Sequence, residues 1–131
     1  MTWDAGRLSD GYEPRWDRDS AVGRQGELFV ANVIDVLVNG RVEIKTDERA
    51  RETGNVYVET SCHYPGRGWQ PSGIEVTEAE EWVFVIGHRM IVIPTLELRR
   101  VAERFGVFAE CRRGDHPTRG VVVPVIALVL R

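Results

Sequence analysis

Asp35, Glu43 and Lys45 stand in the order Asp, seven residues, Glu-x-Lys, a set of side chains suited to phosphodiester cleavage. Two convergent carboxylates on adjacent strands offer hard oxygen ligands to Mg²⁺ or Mn²⁺, and such a cation polarises a phosphate and lowers the pKa of a water it holds. A lysine two residues beyond the glutamate shares its strand face, where it can orient the attacking hydroxide or neutralise charge growing on the phosphorane. Lys45 is also singled out by composition: of the 17 basic residues it is the only lysine, the others all being arginine. A chain that writes arginine wherever a generic cation serves keeps a lysine where a compact ammonium is needed. An exposed hairpin face of mixed charge, with one surviving surface lysine, accounts for the same pattern.

Positioning these groups is the task of the elements around them. Ile34 to Val38 and Arg41 to Thr46 flank Asn39-Gly40, a strong short-range hairpin signal. A two-residue loop would set Asp35 opposite Ile44 and leave Asp35 and Glu43 on opposite faces. A three-residue loop, with Gly40 left-handed, pairs Asp35 with Glu43. The second is favoured, because it gathers Ile34, Val36, Val42 and Ile44 on one face and Asp35, Leu37, Arg41, Glu43 and Lys45 on the other.

Upstream, residues 1–19 lack periodicity and read as an irregular arm; Ser20 then caps a helix from Ala21 to Val33, with Val22, Phe29, Val30 and Val33 at helical spacing. Gly23 and Gly26 weaken that helix and suggest close approach of another backbone. Downstream, Asn55 to Thr60 reads as a third strand with Val56 and Val58 facing the core. Cys62 to Gly73 is a long Gly- and Pro-rich loop of functional length, and Thr77 to Glu81 reads as one helical turn. Trp82 to Ile86 and Met90 to Ile93 form strands around Gly87-His88. Thr95 caps a helix that stops at Gly106. Val107 to Cys111 and Val121 to Val123 are short strands, and the tail after Pro124 reads as a helical turn or a strand continuation.

The whole is expected to be an α/β fold: an arm over 1–19 and a single domain over 20–131, with a mixed central sheet flanked by helices. Its 131 residues are 43% apolar and 28% charged, enough for one buried core and too little bias for disorder. The longest apolar stretch, Val121 to Leu130, is interrupted by Pro124 and falls well short of the roughly 20 residues of a membrane span. The N-terminus lacks the pattern of a secretory signal, so a cytoplasmic location is expected. A net charge of -3 excludes simple coating of phosphates, though not an acidic site that recruits metal. Cys62 and Cys111 are too few for a disulfide scaffold and are expected to be reduced. With His63 and His116 they make a poor zinc site, since no Cys-x-x-Cys pair exists. There is no phosphate loop, dinucleotide fingerprint or serine-hydrolase elbow.

Beyond spacing, the order helix, Asp strand, Glu-x-Lys strand, third strand, with Val42-Glu43-Ile44-Lys45-Thr46-Asp47 and Thr53-Gly54-Asn55 leading to Val58-Glu59, resembles the PD-(D/E)XK nuclease superfamily. It looks most like small phage-type members with a Lys-Thr-Asp, Thr-Gly-Asn and Pro-Ser-Gly-Ile series, the last standing here as Pro71-Ser72-Gly73-Ile74. The similarity runs from about Gly23 to Val125. It implies a restriction-endonuclease-like fold, a DNA substrate and divalent-metal chemistry. It carries metal-ligand roles onto Asp35 and Glu43 and the catalytic lysine role onto Lys45. Glu27 matches a helix glutamate that assists metal binding in relatives, and a solvated helix carboxylate is the plain alternative. No proline precedes Asp35, a departure from the family name.

Arg49, Arg51 and Arg67, in loops, and Asn55 and Glu59, on the third strand, are candidates for the substrate side, Glu59 as an acceptor near the metal; solvated loop and edge-strand charges explain them equally. The expected function is thus a Mg²⁺- or Mn²⁺-dependent DNA endonuclease that recognises structure rather than sequence, with a homodimer as the simple way to cut two strands. Its rival is a non-catalytic module on the same fold, binding nucleic acid or a protein partner.

Overall fold

The structure is a computed structural model and describes residues 14–130. The chain parts between Val38 and Asn39 into two compact units.

Helix α1, Pro14–Asn39, belongs to the first unit. It corrects two expectations. Residues 14–19 of the supposed irregular arm are helical, residues 1–13 lying outside the described part. The run Ile34 to Val38 is helical rather than a strand, so the Asp35 hairpin does not form, and Gly40 is not at positive φ. The reason lies in an ambiguous pattern. Val30, Val33, Ile34 and Leu37 recur at i, i+3, i+4 and i+7, so the six apolar or Asp residues from Val33 to Val38 satisfy a helical period as well as an alternating one. Asn39-Gly40 then acts as a helix stop, a role those two residue types fill as readily as a hairpin turn.

From Asn39 on, two sheets carry the second unit. Strand β1 (Val42–Thr46) is followed by the short helix α2 (Ala50–Thr53) and by β2 (Asn55–Tyr64), β3 (Gly68–Pro71) and a 3₁₀ turn at Gly73–Glu75. Strands β4 (Glu81–Ile86) and β5 (Arg89–Pro94), helix α3 (Thr95–Phe105), strands β6 (Val107–Cys111) and β7 (Thr118–Pro124) and helix α4 (Val125–Leu130) complete it. One sheet has three strands in the order β1-β4-β5; the other has four, in the order β3-β2-β7-β6, all antiparallel. The protein is therefore mixed α/β, with two sheets where one was expected.

Strand β1 pairs with β4 in parallel, not with a neighbour in sequence. Parallel pairing needs a long crossover, and here the whole α2-β2-β3 segment supplies it. The hairpin β4-β5 around Gly87, with φ of 62°, is antiparallel as its alternation suggests. Strand β2 runs four residues past its expected end, because β3 and β7 pair with it on both edges. The expected loop thus contains a strand, and the helical turn expected at Thr77 to Glu81 is replaced by the earlier 3₁₀ turn. Thr95 does not cap its own helix: its hydroxyl donates to the carbonyl of Ala79 at 2.6 Å.

A single core holds the second unit together. Val56, Val58 and Val123 from the four-stranded sheet meet Trp82, Phe84 and Ile93 from the other, with Leu98, Val101 and Ala102 of α3 and Ala127 and Leu128 of α4 closing it. The alternation of β2 puts both of its valines fully inside, as the sequence pattern requires. Between Glu59 and Ser61 the β2–β7 register slips by one. There the backbones close in so far that a Cβ on Gly120 would collide with the Val58 carbonyl. Among the described residues no helix is long and apolar enough to cross a membrane. Cys62, buried, and Cys111 are free thiols.

Candidate functional site

Strand β1 brings two of the expected residues together. Alternation puts Glu43 and Lys45 on one side, and the Lys45 ammonium lies 2.9 Å from a Glu43 carboxylate oxygen. Register places Glu43 beside Trp82 and Lys45 beside Phe84, both buried. The pair therefore stands at the rim of the core face, on a strand that is an edge of its sheet. Lys45 also sits over the Trp82 ring, 5.7 Å from its centroid, a distance at which the ring's negative face attracts a cation. The side chains remain 45% and 40% exposed, so the ion pair contributes at most about 1 kcal/mol to stability. Its interest is chemical: an ammonium and a carboxylate are held together where solvent can reach them.

Asp35 and Glu27 are not on strands. Both lie on α1, in the first compact unit. Eight residues of helix separate them by about 12 Å along the axis, so the two do not chelate one ion as a local pair. Glu43 does not face Asp35 across a hairpin, because its strand partner is β4.

The motif residues around β1 have structural work. Asp47, next in the alternation after Glu43 and Lys45, receives the backbone N–H of Ala50 at 3.0 Å on one oxygen and that of Tyr57 at 3.3 Å on the other. It thereby ties the end of β1 to α2 and β2. Thr53-Gly54-Asn55 is the stop of α2. Gly54, at φ of 72°, returns its N–H to the Ala50 carbonyl, the Thr53 hydroxyl accepts from the Asn55 N–H at 3.2 Å, and the Asn55 amide donates to the Thr53 carbonyl at 3.1 Å. Pro71-Ser72-Gly73-Ile74 fixes Glu59. The Ser72 hydroxyl donates to its carboxylate at 2.7 Å, and Gly73, at φ of 55°, packs so tightly on the Glu59 carbonyl that a Cβ would strike it. Ile74 is buried in the core. Ser72 had no role legible from sequence; its role is to orient Glu59.

The remaining candidates are scattered. The Arg51 side chain lies against Gly87. Arg67 stacks on Tyr64 with 5.9 Å between guanidinium carbon and ring centroid. Arg49 lines a cleft with Asp47, Asn55 and Tyr57. Burial pushes the Tyr57 hydroxyl above its ordinary value, and its hydrogen bond to Thr118 pulls the other way. His63 packs on Trp69 and His116 on Tyr64.

Among the described residues no three His, Cys, Asp or Glu side chains converge on a point that could hold a metal ion. A preformed protein cage is therefore not what this donor set fits. Mg²⁺ is a hard cation that can bind through only one or two carboxylates, with water or phosphate oxygens completing its shell. Comparison with protein-family models, with curated proteins and with solved structures returns no match.

Proposed function

We propose that this protein is a divalent-metal-dependent DNA endonuclease of the PD-(D/E)XK type, on a restriction-endonuclease-like fold. The observation that carries this reading is the Glu43–Lys45 pair, 2.9 Å apart on an edge strand and built with the chain's only lysine. Glu43 is the residue to hold Mg²⁺ or Mn²⁺, which when bound supplies Lewis-acid polarisation of the phosphate and a more acidic water. Lys45 stands beside it to neutralise charge that develops on the phosphoryl oxygens. Motif spacing nominates Asp35 as a second metal-ligand candidate, whereas Asp47, four strand residues from Glu43 and tied to two backbone N–H groups, is not one. The substrate we assign is branched or single-stranded DNA, and a homodimer would supply a second site for the second strand.

The test is single-turnover cleavage of single-stranded, branched and duplex DNA with Mg²⁺ or Mn²⁺ and with chelator. Wild type should cut only with metal, and Glu43→Gln should be inactive. Asp35→Asn should also lose activity while remaining folded, as circular dichroism checks. Metal-dependent cleavage that survives in Glu43→Gln would overturn the assignment.

A further inference from the structure

We propose that the cleft above the outer face of the four-stranded sheet binds one nucleotide unit of a single DNA strand, base on the floor and phosphates at the rim. The inference rests on the nucleic-acid part of the reading above and not on its cleavage chemistry. The cleft has a volume of about 400 Å³, within the range of small-ligand sites. Its floor includes Tyr57 and Val122, register partners on β2 and β7, and Ala109 of β6. These lie on the face opposite Val56, Val58 and Val123, and they present an apolar surface with one aromatic ring.

The rim is cationic. Arg49 enters from the α2 side and Arg112 and Arg113 from the end of β6. Arg112 is tied to Glu110 at 2.9 Å, but Arg49 and Arg113 make no side-chain ion pair or hydrogen bond with any described residue. Two acids also line the cleft, Asp47 and Glu110, and against three arginines they leave the lining net positive. Asp47 is committed to two backbone N–H groups. Glu110 is shared between Arg112 and Arg119, and the hydrogen bond from Arg119 holds its carboxyl below the ordinary carboxylate range. Uncommitted guanidinium groups over an apolar, partly aromatic floor match a flat base joined to anionic phosphates, the combination by which single strands are held without sequence readout. A purely apolar ligand would leave the arginines unused, and inorganic phosphate would leave the floor bare.

The experiment is fluorescence anisotropy of a labelled 12-nucleotide oligothymidylate with the full chain in chelator, so that no cleavage intervenes. Wild type should bind, and Arg49→Gln/Arg113→Gln should weaken binding at least about 10-fold, with the log–log salt dependence shallower by about 1.4 for two lost contacts. Arg100→Gln, on α3 outside the cleft, should bind as wild type does. Both arginines are exposed, and circular dichroism checks that the double variant stays folded. Unchanged affinity and salt slope in the double variant would overturn the assignment. So would an acidic peptide competing as well as the oligonucleotide, or inorganic phosphate alone competing fully at equal phosphate concentration. Metal-dependent cleavage by wild type with normal binding by the double variant would leave the nuclease reading standing without this cleft; loss of binding in the double variant with no cleavage by wild type would do the reverse.

Discussion

Two sets of polar residues in the first half of the second unit look alike in sequence and differ in what holds them. Asp47 and Glu59 have carboxylates fixed by designated donors: two backbone N–H groups for the first and the Ser72 hydroxyl for the second. Glu43 and Lys45 have each other and solvent. The difference separates fold from chemistry. A carboxylate that satisfies buried backbone donors is part of the architecture, because removing it leaves those donors without partners. A half-exposed pair on an edge strand adds little to stability and is available to a substrate.

That contrast is most sharply tested at its two ends. Asp47→Ala should lower the unfolding free energy by about 3 kcal/mol, the scale expected when two hydrogen bonds to a charged acceptor are lost and their donors stranded; urea denaturation measures it. Should the loss fall under about 0.5 kcal/mol, Asp47 would belong with the exposed pair instead. Lys45→Arg should show the opposite signature, an unchanged urea midpoint with cleavage slowed about 100-fold, or about 2.7 kcal/mol in the barrier. A planar guanidinium is wider than an ammonium and would displace the water or the scissile phosphate. Cleavage by this variant near the wild-type rate would reduce Lys45 to a generic charge.

A smaller effect is expected at Ser72→Ala, which removes the donor that orients Glu59 and should cost about 1 kcal/mol of stability. No change there would place Glu59 with the loosely held residues. The smallest effect concerns Glu81, which opens β4 beside the Glu43–Lys45 strand. One of its carboxylate oxygens is buried without a partner, and desolvation, with the charge of Glu80 adding to it, raises its carboxyl above the ordinary 4.5. A raised folded-state value means the unfolded chain releases this proton first, so the stability is fully present below about pH 4.5 and is lost as pH rises through the folded value. Glu81→Gln should therefore be the more stable protein at pH 7 and match wild type at pH 4, as read by urea midpoints at the two values. Equal midpoints at pH 7 would show that the buried oxygen is solvated.

Local pattern was enough for much of the second unit. Strict alternation at Val56 and Val58 placed them inside, the apolar runs on either side of Gly87 announced a hairpin, and the helical spacing of Leu98, Val101 and Ala102 marked the buried face of α3. Glu43 and Lys45 share a side because strand period alone requires it. Other features had no local signal. Ser72 and Glu59 are 13 residues apart and meet only because β3 folds back on β2, and Arg49 reaches the same cleft as Arg113 only because β7 lies between β2 and β6.

What the sequence determined by itself, then, was the inventory and the short-range periods: which charges exist, which strand faces they share and which runs are apolar. Tertiary structure decided the two matters on which the first site geometry turned. A short apolar run such as Val33 to Val38 satisfies helical and strand periods at once, so its local pattern alone leaves open whether it continues α1 or starts a hairpin. The partner of β1 is likewise a non-local choice. Pairing Glu43 with Trp82, 39 positions later, costs loop-closure entropy that only the burial of Trp82 and Phe84 in the common core can offset, and no window of neighbouring residues contains that balance.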